Sequence, residues 1–143
     1  MAHLVAVCVS EKRQEPKKAL PQARILADGG VEGDSHGDHE TRPISLLRLE
    51  DILEVQERVG FEIPPGALAE NLVVGGLPDD LAPGARLAVG SEALLEVIEK
   101  GKRVDEPHSY DYRGICLLPT AGFFLRPLRG GVVRPQDPVE VEP

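Results

Sequence analysis

Proline and glycine recur along the whole length of this chain and limit the length of the helices and strands that it can form. The 143 residues include 13 prolines and 15 glycines, spread along the chain rather than gathered in one tract. Both residues interrupt helix interiors, so their frequency disfavours a bundle of helices. Turns distributed between short apolar segments are typical of an ordered chain built from many short elements.

The apolar segments between these turns are short and rich in β-branched residues, a pattern that predicts strands. We predict strands at residues 4–9, 24–27, 72–74, 86–89, 93–98, 123–128, 132–133 and 139–141. Many short strands with frequent turns favour a mainly β fold, a closed or nearly closed barrel, over a parallel α/β sheet.

One main helix is predicted at about residues 46–59. Leu46, Leu49 and Leu53 recur at helical spacing, which is typical of an amphipathic helix. Ser45 is the expected N-cap and Gly60 the expected C-terminal stop.

Length, charge and composition restrict the class of protein. We predict a single domain, residues 1–143. A net charge of −8, few aromatic residues and no tryptophan disfavour nucleic-acid binding, which needs cations for phosphates and rings for bases. No apolar run approaches the roughly 18 residues of a membrane span. Two distant cysteines and an N-terminus that reads as a strand, not a signal peptide, predict a cytoplasmic protein.

Residues 29–47, GGVEGDSHGDHETRPISLL, combine backbone hinges with versatile side chains. Asp34, His36 and Arg42 can offer acceptors, donors and a fixed positive charge to one small anionic or metal-bound ligand. The segment runs into a predicted rigid element, and anchored loops are where binding sites tend to be built. A polar surface turn is the alternative interpretation.

The two thiols have different surroundings. Cys8 lies inside the first predicted strand, and we interpret it as a small core residue. Cys116 follows a polar loop that contains Lys102 and other cations, and nearby cations stabilise a reactive thiolate. A buried strand cysteine remains the alternative for Cys116.

Other polar residues have two interpretations each. Asn71 stands where a turn meets a strand, and its amide can form an Asx turn or face a ligand. Lys17 and Lys18 belong to a charged loop, which we interpret as a solvated turn rather than an anion site. The pattern His36-x-x-His39 lacks the helix and glutamate of a metalloprotease, so no metal site is predicted.

Four segments, in order and with matching spacing, resemble the signatures of the MOSC family, the domain found at the C-terminal end of molybdenum cofactor sulfurases. The first signature is GVEGDSH with RPISLL, at residues 30–36 and 42–47, and the second is PGALAENL, at residues 65–72. The third runs from LAPG at residues 81–84 through LEV at 95–97 to GK at 101–102, and the fourth consists of CLLP at 116–119, GFF at 122–124 and LRGG at 128–131. The matches extend from residue 5 to residue 141, and the chain most resembles the small stand-alone bacterial members.

The resemblance implies a MOSC-type β-barrel that handles the molybdenum cofactor (molybdopterin), by sulfur transfer through a cysteine persulfide or by cofactor binding. It implies Cys116 as the sulfur carrier and a set of cofactor-binding residues, namely Asp34, His36, Arg42, Ser45, Glu70, Asn71 and Lys102. The guanidinium of Arg42 suits a phosphate, and Ser45 at a helix N-terminus would suit an anion. These residues and Cys116 are expected to converge at the barrel mouth.

One departure from the family pattern leaves the activity open. The family usually has a cysteine after the Gly-Lys pair, where this chain has Val104, so either Cys116 carries sulfur or no sulfur chemistry occurs. The chain is then a sulfur carrier or transferase, an oxidoreductase-type cofactor protein, or a non-catalytic module for a molybdopterin-like or other small anion. Sulfur transfer would make a cysteine desulfurase the expected partner, and pyridoxal phosphate would belong to that partner alone.

Overall fold

The computed structural model describes residues 2–12, 16–34, 43–101 and 112–142. These residues form ten strands and two helices. In chain order the elements are β1 Ala2–Val9, β2 Lys18–Leu20, β3 Ala23–Ile25, β4 Ile44–Arg48, α1 Leu49–Val59, β5 Leu72–Gly75, β6 Arg86–Val89, β7 Ala93–Lys100, α2 Leu118–Ala121, β8 Phe123–Arg129, β9 Gly131–Val133 and β10 Pro138–Glu142.

Seven of the described strands close into a barrel, which confirms the predicted mainly β fold. Their order is β10-β6-β7-β8-β4-β5-β1, and β1 pairs back with β10 through Ala2 with Val139 and His3 with Pro138. Neighbouring strands are antiparallel except β4 and β5, which are parallel. Strand β2 pairs with the far end of β1, and β3 and β9 form a separate two-stranded sheet.

Successive side chains of a strand point to opposite faces, so the barrel strands contribute to two separate apolar clusters. The interior cluster takes residues from every barrel strand, among them Leu4, Leu46, Leu95 and Phe123. The outer cluster packs α1 and the loop after it against the outer faces of β1, β4 and β5, and consists of Ala6, Cys8, Leu47, Ile52, Val55, Ile63, Ala67, Leu68 and Val73. Each fully buried large aliphatic side chain contributes about 1.5–3 kcal/mol of transfer free energy.

The predicted start of the main helix is wrong by three residues. Residues 44–48 form β4, which pairs with β5 on one side and β8 on the other, and α1 begins at Leu49. Leu46 belongs to the barrel interior and Leu53 is 49% exposed, so the leucine spacing did not mark the buried face of a helix. The helix instead buries Ile52 and Val55.

The ends of α1 differ in how well they were predicted. The N-cap is Arg48, whose side chain makes no capping hydrogen bond, so Ser45 is neither an N-cap nor part of a helix N-terminus. Gly60 ends the helix in the left-handed conformation, as predicted. Within the described ranges, neither helix is long and apolar enough to cross a membrane.

Candidate functional site

A polar network lies on the outer side of the barrel wall and consists of Ser10, Lys17, Asp34, Ser45 and Asn71. Ser45 lies between two residues of the interior cluster, Ile44 and Leu46, so its side chain projects outward from β4. All five members are buried or have almost no exposed side-chain surface. The network therefore combines polar groups from five separate parts of the chain in a nearly dry environment.

Asn71 joins three strands within this network. Its Oδ1 accepts a hydrogen bond from the backbone N–H of Ser45 at 3.0 Å, and its Nδ2 donates to the carbonyl of Cys8 at 3.1 Å. The Asn71 N–H also lies 3.1 Å from the hydroxyl oxygen of Ser45. The amide thus satisfies the backbone of β4 and β1 where β5 begins, and none of these bonds is an Asx turn.

Lys17 and Asp34 form a buried ion pair, so the interpretation of Lys17 as part of a solvated turn was wrong. The Nζ–Oδ1 distance is 2.7 Å, and the side chains are 1% and 0% exposed. Burial raises the pKa of Asp34, but the hydrogen bond and charge of Lys17, the Ser10 N–H and the Asn71 side chain together bring that pKa below its ordinary value. Asp34 is therefore a carboxylate at neutral pH.

The network holds described residues on either side of the interval 35–42, namely Asp34 and Ser45. Asp34 is held by Lys17 and Asn71, and Ser45 is held by the same Asn71. Two predicted cofactor-binding residues, His36 and Arg42, fall in the interval 35–42 and lie outside the described residues. Two residues of the segment 29–47, Asp34 and Ser45, therefore belong to one buried network.

Glu70 organises the turn beside the network. Its carboxylate oxygens accept hydrogen bonds from Gly66 N–H at 2.9 Å and Leu68 N–H at 3.1 Å, and the residue has no exposed surface. Burial raises the pKa of Glu70 to about 7, against the opposing effect of these backbone donors and of Lys17. Glu70 is thus placed in the wall beneath the site, with both oxygens directed at backbone.

The two cysteines occupy different environments, and no disulfide joins them. Cys8 is fully buried in the outer cluster, which confirms it as a core residue. Burial, and next the charge of Glu70, raise the pKa of Cys8 to about 12, so its thiol stays protonated. Cys116 is half-buried and stands between Ile115 and Leu117, which pack against the same outer cluster.

A tight hairpin precedes Cys116. Tyr112 and Ile115 exchange two backbone hydrogen bonds of 2.8 Å around Arg113 and Gly114. Arg113 adopts a positive φ of 53°, and its guanidinium lies 3.9 Å from the ring centroid of Phe61. Gly114, which also has a positive φ of 86°, is the local sequence signal for this two-residue turn.

Lys102 lies outside the described residues, but the residue before it is well anchored. Gly101 N–H donates to the carbonyl of Gly122 at 2.6 Å, so this position abuts the end of α2. Gly101 and the helix α2, which follows Cys116 in the chain, therefore lie next to each other.

The described candidates occupy the outer face of the barrel wall rather than its interior. The structure brings together Asp34, Ser45 and Asn71, with Glu70 in the adjacent turn, whereas Cys116 belongs to another segment over the outer cluster. Ser45 lies on β4, whereas Ser10 directly follows β1 and Asn71 directly precedes β5, so the network lies beside the ends of β1 and β5. The convergence of all the predicted site residues at the barrel mouth stays a prediction.

A molybdopterin needs donors for its pterin and a cation for its phosphate. Among the described residues, no buried side-chain nitrogen or oxygen lacks a hydrogen-bond partner, and no three His, Cys, Asp or Glu side chains form a metal-binding group. Lys17 is already neutralised by Asp34. The buried polar groups of the described residues are therefore already engaged with one another. The predicted contact residues His36, Arg42 and Lys102 lie outside the described residues.

The comparisons with known proteins agree with this fold. A sequence profile of the MOSC domain matches residues 32–140. The YuaD protein from Bacillus subtilis has a TM-score of 0.77 at 20% identity, over 99% of this chain and 96% of that chain. YiiM from Geobacillus stearothermophilus has a TM-score of 0.73 at 22% identity, over 100% of this chain and 76% of that chain.

YiiM from Escherichia coli is a further structural neighbour, with a TM-score of 0.65 at 20% identity over 100% of this chain and 70% of that chain. At such low sequence identity, the similarity to these three structures shows a shared fold and does not show a shared function. No curated protein matches the sequence significantly.

Proposed function

This chain belongs to the MOSC domain family, and from that premise we propose that it handles the molybdenum cofactor by binding it on the outer face of the barrel. The observation that carries the proposal is the buried network that fastens Asp34 and Ser45 to one amide, that of Asn71. Asp34 and Ser45 are therefore held in place on either side of Arg42 in the sequence, and rigid positioning of the residues that flank a contact residue lowers the conformational entropy lost on binding, which increases affinity.

The residues divide into contacts and supports in this proposal. Arg42 is assigned to the phosphate, which its planar guanidinium can bind through two parallel hydrogen bonds, and His36 and Lys102 are assigned to the remaining polar edges. Ser45 and Asn71, which are hydrogen-bonded to each other, are assigned with Asp34 and Glu70 to a supporting role that keeps this part of the barrel wall rigid. The bound cofactor supplies the molybdenum-centred chemistry, while these residues orient it.

The binding proposal is tested with molybdenum cofactor released anaerobically from a molybdoenzyme. We expect the full chain to retain it through gel filtration, and Arg42→Ala to lower the affinity by about tenfold or more, because a charge-assisted pair with the phosphate is lost. Arg58→Ala, at an exposed position of α1, is the matched control and keeps the wild-type affinity. Failure of the wild-type chain to bind, or equal affinity of both variants, would overturn the proposal.

Sulfur transfer through Cys116 is the second candidate, and the contrast between the two thiols favours it. Cys8 is fully buried and the pKa of its thiol is raised to about 12, whereas Cys116 is only half-buried. The Cys116 thiolate would attack the terminal sulfur of a donor persulfide. A new sulfur–sulfur bond then forms, the donor's sulfur–sulfur bond breaks, and the donor leaves as a thiolate, so no external oxidant is needed.

This second candidate is tested by persulfide labelling after incubation with a cysteine desulfurase and L-cysteine. Any pyridoxal phosphate in this reaction belongs to the desulfurase. We expect Cys8→Ala to keep the label and Cys116→Ala to abolish it while the chain remains folded. An unchanged label on Cys116→Ala would exclude Cys116 as the carrier and leave cofactor binding alone.

A further inference from the structure

Arg113 occupies a position whose backbone conformation disfavours it. Its φ is 53° and that of Gly114 is 86°, so both central residues of the turn between Tyr112 and Ile115 are left-handed. Turns of this kind prefer asparagine, aspartate or glycine at the first central position, because a longer side chain is crowded there. An arginine at this position therefore lowers the stability of the turn, and a backbone outlier of this kind motivates a functional hypothesis for its side chain.

The guanidinium of Arg113 is held in place by an aromatic ring. It lies 3.9 Å from the ring centroid of Phe61, which follows the C-terminal end of α1 and packs against the outer cluster. The ring of Tyr112 lies 6.5 Å from the Phe61 ring at an angle of 60°. A cation over a ring is attracted by the ring quadrupole, and this contact uses none of the five N–H donors of a guanidinium. The planar fork of Arg113 therefore remains suited to the oxygens of an anion.

Arg113 precedes Cys116 by three residues. Consecutive Cα atoms are about 3.8 Å apart, so the two Cα atoms are separated by roughly 11 Å at most. That limit is close to the Debye length of about 10 Å at 0.1 M salt, so the charge of Arg113 acts on an anion that approaches the thiol. Arg113 is exposed and Cys116 is half-buried, so a small reactant from solvent can reach both residues.

We propose that Arg113 binds the anionic group of a small sulfur donor whose transferable sulfur is taken up by Cys116. This role rests on sulfur transfer through Cys116, the second candidate function, and deepens it by naming the chemical class of the donor. Thiosulfate is a simple member of this class.

The step with thiosulfate balances without an oxidant. The Cys116 thiolate attacks the outer sulfur of thiosulfate, a new sulfur–sulfur bond forms on the protein, and the sulfur–sulfur bond of thiosulfate breaks. Sulfite leaves with the electron pair of the broken bond. Arg113 pairs with the oxygens of the departing group, where its charge stabilises the negative charge of the sulfite.

The first measurement compares alkylation of Cys116 by iodoacetate and by iodoacetamide, two reagents of similar size that differ in charge. Mass spectrometry follows the peptide that contains Cys116. We expect Arg113→Gln to lower the ratio of the iodoacetate rate to the iodoacetamide rate by about twofold or more, because a unit charge at this separation in water has an effect of that size. Arg113→Lys keeps the charge and the ratio. Arg86→Gln, at an exposed position of β6, is the matched control and keeps the wild-type ratio.

The second measurement is the release of sulfite from thiosulfate by the full chain, together with the persulfide formed. We expect one sulfite for each persulfide, and no reaction of Cys116→Ala. Arg113→Gln slows the reaction by about tenfold or more, because a charge-assisted pair with the donor is lost. Arg113→Lys recovers only part of the rate, since an ammonium lacks the planar fork.

Thermal unfolding distinguishes this role from a structural one. Glycine adopts the left-handed turn without strain, so we expect Arg113→Gly to unfold at the wild-type temperature or above it. The same variant should react with thiosulfate as slowly as Arg113→Gln. A lower unfolding temperature of Arg113→Gly with an unchanged alkylation ratio would show a merely structural contact and overturn the inference.

The outcomes separate this inference from the function on which it rests. Sulfur accepted from a desulfurase but not from thiosulfate would overturn the assignment of a small anionic donor. If the chain accepts sulfur from neither, sulfur transfer itself fails, and the alkylation ratio still decides the role of Arg113. A lower ratio in Arg113→Gln then supports recognition of anions beside Cys116, and an unchanged ratio excludes it.

Discussion

Glu70 and Asp34 are buried carboxyl groups with opposite responses to their surroundings. Burial raises the pKa of Glu70 from 4.5 to about 7, against the opposing effect of its backbone hydrogen bonds and of the charge of Lys17. Burial also raises the pKa of Asp34, but the hydrogen bond and charge of Lys17, together with the Ser10 N–H and the Asn71 side chain, make the net shift downward. A directly hydrogen-bonded ammonium therefore distinguishes the surroundings of Asp34 from those of Glu70.

This difference predicts the pH dependence of stability. The folded pKa of Glu70 lies above its unfolded value, so stability is fully present below about pH 4.5 and decreases as pH rises towards about 7. Asp34, whose folded pKa is lowered, loses its contribution only when pH falls below about 3.8. Between pH 5 and pH 8 the titration of Glu70 therefore dominates that of Asp34.

We expect Glu70→Gln to remove this dependence. The free energy of unfolding of the wild type relative to the variant should fall by roughly 2–3 kcal/mol between pH 5 and pH 8, since one pKa unit corresponds to about 1.4 kcal/mol. Urea unfolding at both pH values measures it. At pH 5 the variant is less stable, because glutamine cannot accept from both backbone amides. A constant difference across this range would contradict the raised pKa.

At the scale of an element, the turn after α1 depends on close backbone contact. Gly66 has a φ of +86°, and a β-carbon there would lie 2.2 Å from the carbonyl oxygen of Lys17. Glu70 accepts the Gly66 N–H, and Ala69 adopts a positive φ of 69°. The turn can therefore approach the backbone of Lys17, next to β2, only because residue 66 has no side chain.

We expect Gly66→Ala to cost about 3 kcal/mol or more, because a left-handed alanine and a backbone clash act together. Gly60→Ala is the matched control, since Gly60 has a φ of +78° and a β-carbon there would meet nothing within 4 Å, and it should cost about 1 kcal/mol. Urea unfolding of both variants measures the difference. Equal costs would mean that the approach to Lys17 is not tight.

At the scale of the whole molecule, β10 closes the barrel. It pairs with β1 on one side through Ala2 and Val139 and with β6 on the other through Val139 and Val89. Val139 is 2% exposed in the interior cluster, whereas Val141 on the same strand is 41% exposed. Closure satisfies the edges of β1 and β6 together, so one strand supports both the barrel and the face that carries the site.

A charge at the closing position tests this arrangement. We expect Val139→Lys to lower the free energy of unfolding by about 4 kcal/mol or more, because it buries an unpaired ammonium. Val141→Lys should change it by no more than about 0.5 kcal/mol. Thermal unfolding followed by circular dichroism distinguishes them, and similar unfolding temperatures would show that β10 does not close the barrel.

The sequence alone determined the class of fold and most of the strands. Short β-branched runs bounded by turn residues are local signals, so β1, β5, β6, β7 and β8 could be located without tertiary information. The burial of Cys8 followed from its place inside such a run. The left-handed end of α1 at Gly60 was predictable for the same reason, since the conformation is set by the residue itself.

Only the tertiary structure decided which polar residues became buried partners. Ser45 is in a strand because β5 and β8 pair with it on both sides, whereas its apolar neighbours suited a helix equally well. Lys17 is buried because Asp34, 17 residues away in sequence, neutralises it. Asn71 bonds to a carbonyl 63 residues away. A local sequence pattern reflects the conformational preferences of the residues in it. Whether a charged side chain can be buried depends on partners distant in sequence, which only folding brings close.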